Sequence, residues 1–284
     1  MTTVVYQGIP GSYSHIAALH LFPNDKLVGN GTFREVFEFL KKGKANYAVM
    51  PIENTIIGSL NEVYDLITEY NFHIKAEITL KIDHNLLGSS STELKNITKA
   101  FSHEKALSQC HTFLHTNRIT PEIFEDTAAA AAYISLKKTV NEAAIASQSA
   151  AKIYGLKVLK KNIQDNKHNY TRFIVIQKTN NSKSGTKTTL MFVVSHKPGS
   201  LLKSLNVFAS NNLNLTHLES RPVLGKPFNY KFYLDFEHQN NTSLVDQIII
   251  ALRPHTKLIQ KLGTYKKGET ITESTNLDTL ETHT

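Results

Sequence analysis

Between residues 1 and 178, short apolar runs alternate with amphipathic helical patterns, and this alternation restricts the fold more than any other feature. Strand-like runs stand at 4–7, 47–52, 99–101, 143–146 and 173–177, with helical periodicity at about 14–22, 34–42, 60–70, 104–115, 128–136 and 148–154. Phe173-Ile174-Val175-Ile176 is unbroken, as in a strand covered on both faces. Strands separated by helices point to an α/β region with a mostly parallel sheet. Several strands end in polar turns that open the next helix, as in Gly8-Ile9-Pro10-Gly11-Ser12, Ser102-His103, Asp126-Thr127 and Ser147-Gln148. Such helix starts suit anions, although each by itself serves equally as an N-cap. Ser59-Leu60-Asn61-Glu62 matches a capping box.

A second pattern follows a stretch of linker composition at 179–187. Strands are expected at 189–195, 214–220, 228–237 and 257–262. Helices are expected where Leu201, Leu202, Leu205, Phe208 and Ala209 share a face and again at 243–253. The order βαββαβ fits a ferredoxin-like module over 188–266. From 267 to 284 the composition predicts a disordered tail.

The chain has 284 residues, enough for about two domains with cores, and 40% hydrophobic with 20% charged residues describes an ordinary globular protein. No apolar run approaches the ~20 residues that span a bilayer, and no signal-like segment opens the chain, so no membrane is expected. A single cysteine, Cys110, excludes an internal disulfide and fits a reducing cytoplasm. The net charge of +8 is uneven: residues 151–187 hold nine Lys or Arg against one acid, Asp165. That field either steers a small dianion or is a solvated face plus linker. No recognition-helix, aromatic-sheet or zinc-finger pattern accompanies it, so nucleic acid is not expected. Cys110 sits on an apolar stripe with Ala106, Leu107, Phe113 and Leu114 and reads as core, not nucleophile. His111 and His115 lack a nearby acid as a third ligand, so no metal is expected. Gly8-x-x-Gly11 lacks the dinucleotide fingerprint and the P-loop lysine.

Asn169-Tyr170-Thr171-Arg172-Phe173 stands at the mouth of the last buried strand, where chemistry is often placed. Arg172 offers a fork for a carboxylate and Thr171 a hydroxyl donor. In a fully extended segment the two would face opposite ways, so joint action requires a bend before Phe173.

Together with Gly8-Ile9-Pro10-Gly11-Ser12-Tyr13-Ser14-His15, Pro51-Ile52-Glu53-Asn54-Thr55, Gln109-Cys110, Asp126-Thr127-Ala128-Ala129, Gly199-Ser200-Leu201-Leu202 and Glu219-Ser220-Arg221-Pro222, this block resembles the prephenate dehydratase family with a C-terminal ACT regulatory domain. The resemblance implies a bilobal catalytic region like a periplasmic binding protein over 1–178, its second lobe at about 78–158, followed by an ACT domain. It implies conversion of prephenate to phenylpyruvate without cofactor or metal, in a cytoplasmic homodimer or homotetramer inhibited by phenylalanine. Thr171, Arg172 and Glu53 would be catalytic. Asn54, Thr55, Ser102, Gln109, Thr127, Asn169 and Phe173 would bind substrate, with Gln109 returning to the face of a helix begun at Ser102. Gly199, Ser200, Leu201, Asn214, Leu215, Glu219, Ser220, Arg221 and Pro222 would bind the effector or link it to the catalytic lobes. Ser102-His103-Glu104-Lys105, Asp126 and Ser200 depart from the usual pattern, and the absence of preceding mutase helices points to a monofunctional form. Arogenate dehydratase and a non-catalytic amino-acid sensor are the alternatives.

Overall fold

A computed structural model describes residues 1–179, 184–223, 225 and 229–273. The expected linker at 180–183, part of the turn at 225–227, the strand start at 228 and the tail from 274 lie outside the described residues. The chain divides into two compact units: Met1–Gly58 with Thr79–Phe173 and the segment from Thr270, and Ser59–Ile78 with Ile174–Glu269. No helix among the described residues is long and apolar enough to cross a membrane.

The strands in chain order are β1 (Thr3–Gln7), β2 (Lys26–Asn30), β3 (Tyr47–Asn54), β4 (Gly58–Ser59), β5 (His73–Lys81), β6 (Asn85–Gly88), β7 (Lys99–Ser102), β8 (Thr120–Ile123), β9 (Glu142–Ala146), β10 (Lys157–Lys160), β11 (Tyr170–Gln177), β12 (Lys187–Val194), β13 (Leu215–Pro222), β14 (Tyr230–Glu237), β15 (Thr256–Tyr265) and β16 (Thr270–Ile271). The helices are α1 (Tyr13–Leu21), α2 (Phe33–Lys41), α3 (Asn61–Tyr70), α4 (Glu104–Gln109), α5 (His111–Thr116), α6 (Thr127–Lys137), α7 (Gln148–Ile153), α8 (Ser200–Ser210) and α9 (Thr242–Leu252).

One sheet has the order β16-β5-β11-β3-β1-β2, with β4 beside β3. A second has the order β10-β6-β9-β7-β8, and the third β13-β14-β12-β15. Neighbours β1–β2, β1–β3, β7–β8 and β7–β9 are parallel, but β6 runs antiparallel to β9 and β10. The mostly parallel expectation is thus corrected to a mixed arrangement. The third sheet is antiparallel throughout and follows the expected βαββαβ order. Phe232, Leu234 and Phe236 alternate inward from β14 onto Phe208 of α8 and Ile248 and Leu252 of α9.

Local signals explain most helix starts. Thr32 and Glu35 form a reciprocal capping box on α2. Asp126 accepts from Ala128 and Ala129 at the head of α6. The capping box expected at Ser59 does not form: Leu60 caps α3 without a side-chain bond, and the Ser59 hydroxyl donates to Glu219 Oε2 at 3.0 Å. The single helix expected at 104–115 breaks at Cys110. There the Gln109 carbonyl accepts from Asp165 N at 2.7 Å, and the Asp165 carboxylate receives Thr112 N at 3.3 Å. A residue 55 positions downstream thus supplies partners that a continuous helix would have found internally.

Two further expectations are corrected. Thr270–Ile271 pairs in parallel with β5, and the Glu273 carboxylate accepts from Gln148 N at 3.0 Å and from Ser149 N, so the first part of the supposed tail is held in place. Burial keeps the Glu273 carboxyl above the usual carboxylate range despite those bonds. Lys187, counted in the basic field, is buried: its Nζ lies 3.0 Å from Glu77 Oε2 and 3.5 Å from Asp235 Oδ2.

Candidate functional site

At the C-terminal end of β3, Asn54 is only 6% exposed. Its side-chain oxygen accepts from the backbone N–H groups of Ile56 and Ile57, at 2.9 and 3.0 Å. Backbone N–H groups only donate, so the Asn54 Nδ2 must face the other way. It donates to Thr171 Oγ1 at 2.9 Å and to Asn169 Oδ1 at 2.8 Å. The Thr171 oxygen therefore acts as an acceptor toward Asn54, and its own proton is left to point elsewhere.

The same polar cluster continues into the segment that carries the second sheet. Asn169, fully buried, donates to Gln109 Oε1 at 3.0 Å. Gln109 closes α4, and the helix break just after it presents this side chain toward residue 169. His84 Nε2 lies 2.9 Å from the same Gln109 oxygen, and its Nδ1 lies 3.0 Å from the Tyr13 hydroxyl. Tyr13 opens α1 next to the turn Gly8–Ser12. That turn requires glycine for packing: Gly11 has φ +89°, and a Cβ there would meet Ala150 Cα at 2.9 Å. Burial pushes the Tyr13 phenol well above its usual range, helped by the negative charges of Glu273, Asp83 and Asp126.

The structure thus brings together Thr171, Asn54, Asn169 and Gln109 from the expected set and adds His84 and Tyr13. Others lie elsewhere. Arg172 and Glu53 pair with each other, Nε to Oε2 at 3.1 Å. Tyr170, Thr171 and Arg172 all lie within β11, so the alternation of a strand separates Arg172 from Thr171. Phe173 is buried core, and the Ser102 hydroxyl donates to the Ile145 carbonyl from the end of β7, ahead of the cap of α4 at His103. Thr55 is engaged with the backbone of His168 and Tyr170, while Thr127 simply follows the cap of α6. Cys110 is fully buried, and burial raises its thiol far above the reactive range. His84 stands between β5 and β6 with no local motif to announce it. Tyr13 was visible only as part of the glycine turn.

The residues expected to bind an effector divide likewise. Gly199 caps α8 with φ +77°, and with Ser200, Leu201, Ser195, Tyr230 and Phe232 it lines a cavity of about 560 Å³. Glu219 instead receives Ser59, and Arg221 pairs with Asp65 of α3 at 3.0 Å. Pro222 lies opposite Tyr230 and Ser220 opposite Phe232 in the sheet register. Leu215 packs on the core of the βαββαβ module, and the Asn214 carbonyl accepts from Glu237 N at 3.2 Å.

A family model described as prephenate dehydratase matches residues 4–181. The chain belongs to the prephenate dehydratase family. Among its relatives, the Arabidopsis thaliana protein named arogenate dehydratase/prephenate dehydratase 2, chloroplastic, is 35% identical over 280 residues, covering 94% of this chain and 74% of that one. The prephenate dehydratase of Arthrobacter aurescens, solved in complex with L-Phe, superposes with a TM-score of 0.84 at 27% identity, covering 93% of this chain and 90% of that chain. A solved protein named GqqA, described as a novel type of quorum quenching acylase, superposes with a TM-score of 0.85 at 27% identity, covering 94% and 98%. These two solved structures share the fold described above under different names, one a dehydratase and the other an acylase.

Proposed function

We propose that this chain is a lyase that converts prephenate to phenylpyruvate, losing the ring hydroxyl as water and the ring carboxylate as carbon dioxide. The observation that carries the reading is the fixed polarity at Thr171. Its oxygen is occupied by Asn54 Nδ2, whose orientation the Ile56 and Ile57 amides set. The hydroxyl proton is then available to the departing ring oxygen. As the C–O bond lengthens, that oxygen gains negative charge and the Thr171 hydrogen bond strengthens. The electron pair of the breaking C–CO₂ bond completes the aromatic ring. One proton, supplied by solvent through the Thr171 contact, turns hydroxide into water.

Mixing pure protein with prephenate and following phenylpyruvate absorbance tests the proposal, and absence of turnover removes it. Running arogenate on the same preparation decides the second reading, since a relative carries both substrate names. An acylase, as named for GqqA, needs an activated nucleophile or water. The Thr171 hydroxyl meets the Asn54 amide, which is no base. A non-catalytic sensor predicts binding of an amino acid without turnover.

Arg172→Lys keeps the charge but loses the Nε–H that meets Glu53 and the planar guanidinium that carries it. It should raise KM for prephenate several-fold and leave kcat within a factor of a few. Unaltered steady-state constants would mark the pair as structural.

The βαββαβ module resembles an ACT domain, and we assign it phenylalanine sensing within a homodimer or homotetramer of cytoplasmic protein. The start of α8, where Gly199 caps the helix without a side-chain bond, lies beside an apolar cavity, a setting suited to an amino-acid carboxylate and its side chain. The outer strands β13 and β15 leave edges for pairing with another copy. Gly199→Val places a β-branched residue at φ +77°, costing about 1–3 kcal/mol locally. Inhibition by phenylalanine should weaken at least tenfold while basal turnover survives. Calorimetry showing no phenylalanine binding at millimolar concentration would sink this assignment.

A further inference from the structure

We infer that His84 is a positioning residue of this site: as the Nε2–H tautomer it holds the Gln109 carbonyl, and with it the hydrogen-bond polarity that ends on Thr171. The inference deepens the dehydratase reading, in which Thr171 must be a donor. The polarity is forced from one end. Asn54 Oδ1 is committed to two backbone N–H groups, so Asn54 Nδ2 faces Asn169. Asn169 Oδ1 therefore accepts, and the other end of that amide donates to Gln109 Oε1. An oxygen thus confronts His84 Nε2 at 2.9 Å, and only a protonated Nε2 fits there.

In a neutral ring Nδ1 is then a lone pair. The Tyr13 hydroxyl, 3.0 Å away, donates to it while sharing its proton with the Asp83 carbonyl at 2.8 Å. Burial favours that neutral ring: His84 is 3% exposed, and desolvation holds its pKa below the usual imidazole range despite the Gln109 bond and the Asp83 charge. The opposite tautomer would set two lone pairs against each other. Turning Gln109 over to relieve them would place its NH₂ against the NH₂ of Asn169 and break the chain of bonds. His84 thereby locks the Gln109 rotamer from behind and, through Asn169, steadies the Asn54 amide that fills Thr171.

Nitrogen-15 NMR of histidine-labelled full-length protein near neutral pH reads the tautomer directly. The expected result is one neutral ring with a protonated Nε2 and a bare Nδ1, assigned by its loss in His84→Gln. A bare Nε2 or a charged ring overturns the inference. That readout needs no turnover, so failure of the dehydratase reading would not be mistaken for failure of this one. On prephenate, His84→Leu should lower kcat by about 10²-fold, the cost of roughly 1 Å of misplacement, with KM moving much less. His84→Gln, which keeps an N–H near the Nε2 position, should recover most of that loss. Equal impairment of the two variants, or full activity in His84→Leu, overturns the positioning role.

Discussion

Thr171→Ala should leave a folded protein whose kcat on prephenate has fallen at least ~10²-fold, because a donor aimed at a developing oxyanion is typically worth 10²–10³ in rate. KM should change little, since the hydrogen bond matters mainly once charge has built up on the leaving oxygen. The substitution also removes one of the acceptors on Asn54 Nδ2, but the Asn169 Oδ1 and Tyr170 carbonyl acceptors remain at 2.8 and 3.1 Å. The amide therefore stays satisfied and the fold should hold. Circular dichroism and steady-state kinetics on one preparation check both halves of the expectation. Turnover within a few-fold of the parent would take Thr171 out of the mechanism.

Lys187→Met should lower stability by about 3–5 kcal/mol, the usual cost of stripping one partner from a buried ionic cluster. The Lys187 Nζ lies 3.0 and 3.2 Å from the two oxygens of Glu77 and 3.5 Å from Asp235, with side-chain exposures of 7%, 5% and 0%. Without the ammonium, two buried carboxylates face each other. Denaturant titration of parent and variant measures the difference, and adding Glu77→Gln with Asp235→Asn should restore part of it. A loss under about 1 kcal/mol would mean that the cluster is solvated after all.

Lys187 also shows where sequence reading stops. Nothing local distinguishes it from the exposed lysines before it; its partners come from β5 and β14. The central strands β1, β3, β9 and β11 were legible because they are largely buried and carry continuous apolar runs. Strands β2, β8, β10 and β16, each at the end of its sheet, were not, and neither were the internal strands β5 and β6. A sheet end needs one pairing partner and little apolar surface, so Lys157–Lys160 or Thr120–Ile123 leaves no periodic trace. At the site, Thr171, Asn54, Asn169 and Gln109 were legible through linked motifs. Phe173 sits in one of these motifs and Ser102 was expected beside Gln109, yet the fold uses both to hold its own core. His84 became visible only when Gln109 was found beside it, 25 residues away in sequence.

The division of the chain has a practical consequence for anyone who wants either part alone. The family match ends at residue 181, which invites expression of a fragment stopped there. Such a fragment would lack β16 and the Glu273 carboxylate that caps α7, both of which belong to the first unit. It would keep Ser59–Ile78, which belongs with the second. A fragment begun after the linker would in turn lack α3, so that Arg221 and Lys231 would lose Asp65. The backbone passes from one unit to the other after Gly58, Ile78, Phe173 and Glu269, so no single cut yields a whole unit. Testing the proposed catalysis apart from the proposed regulation therefore calls for point substitutions in the full chain.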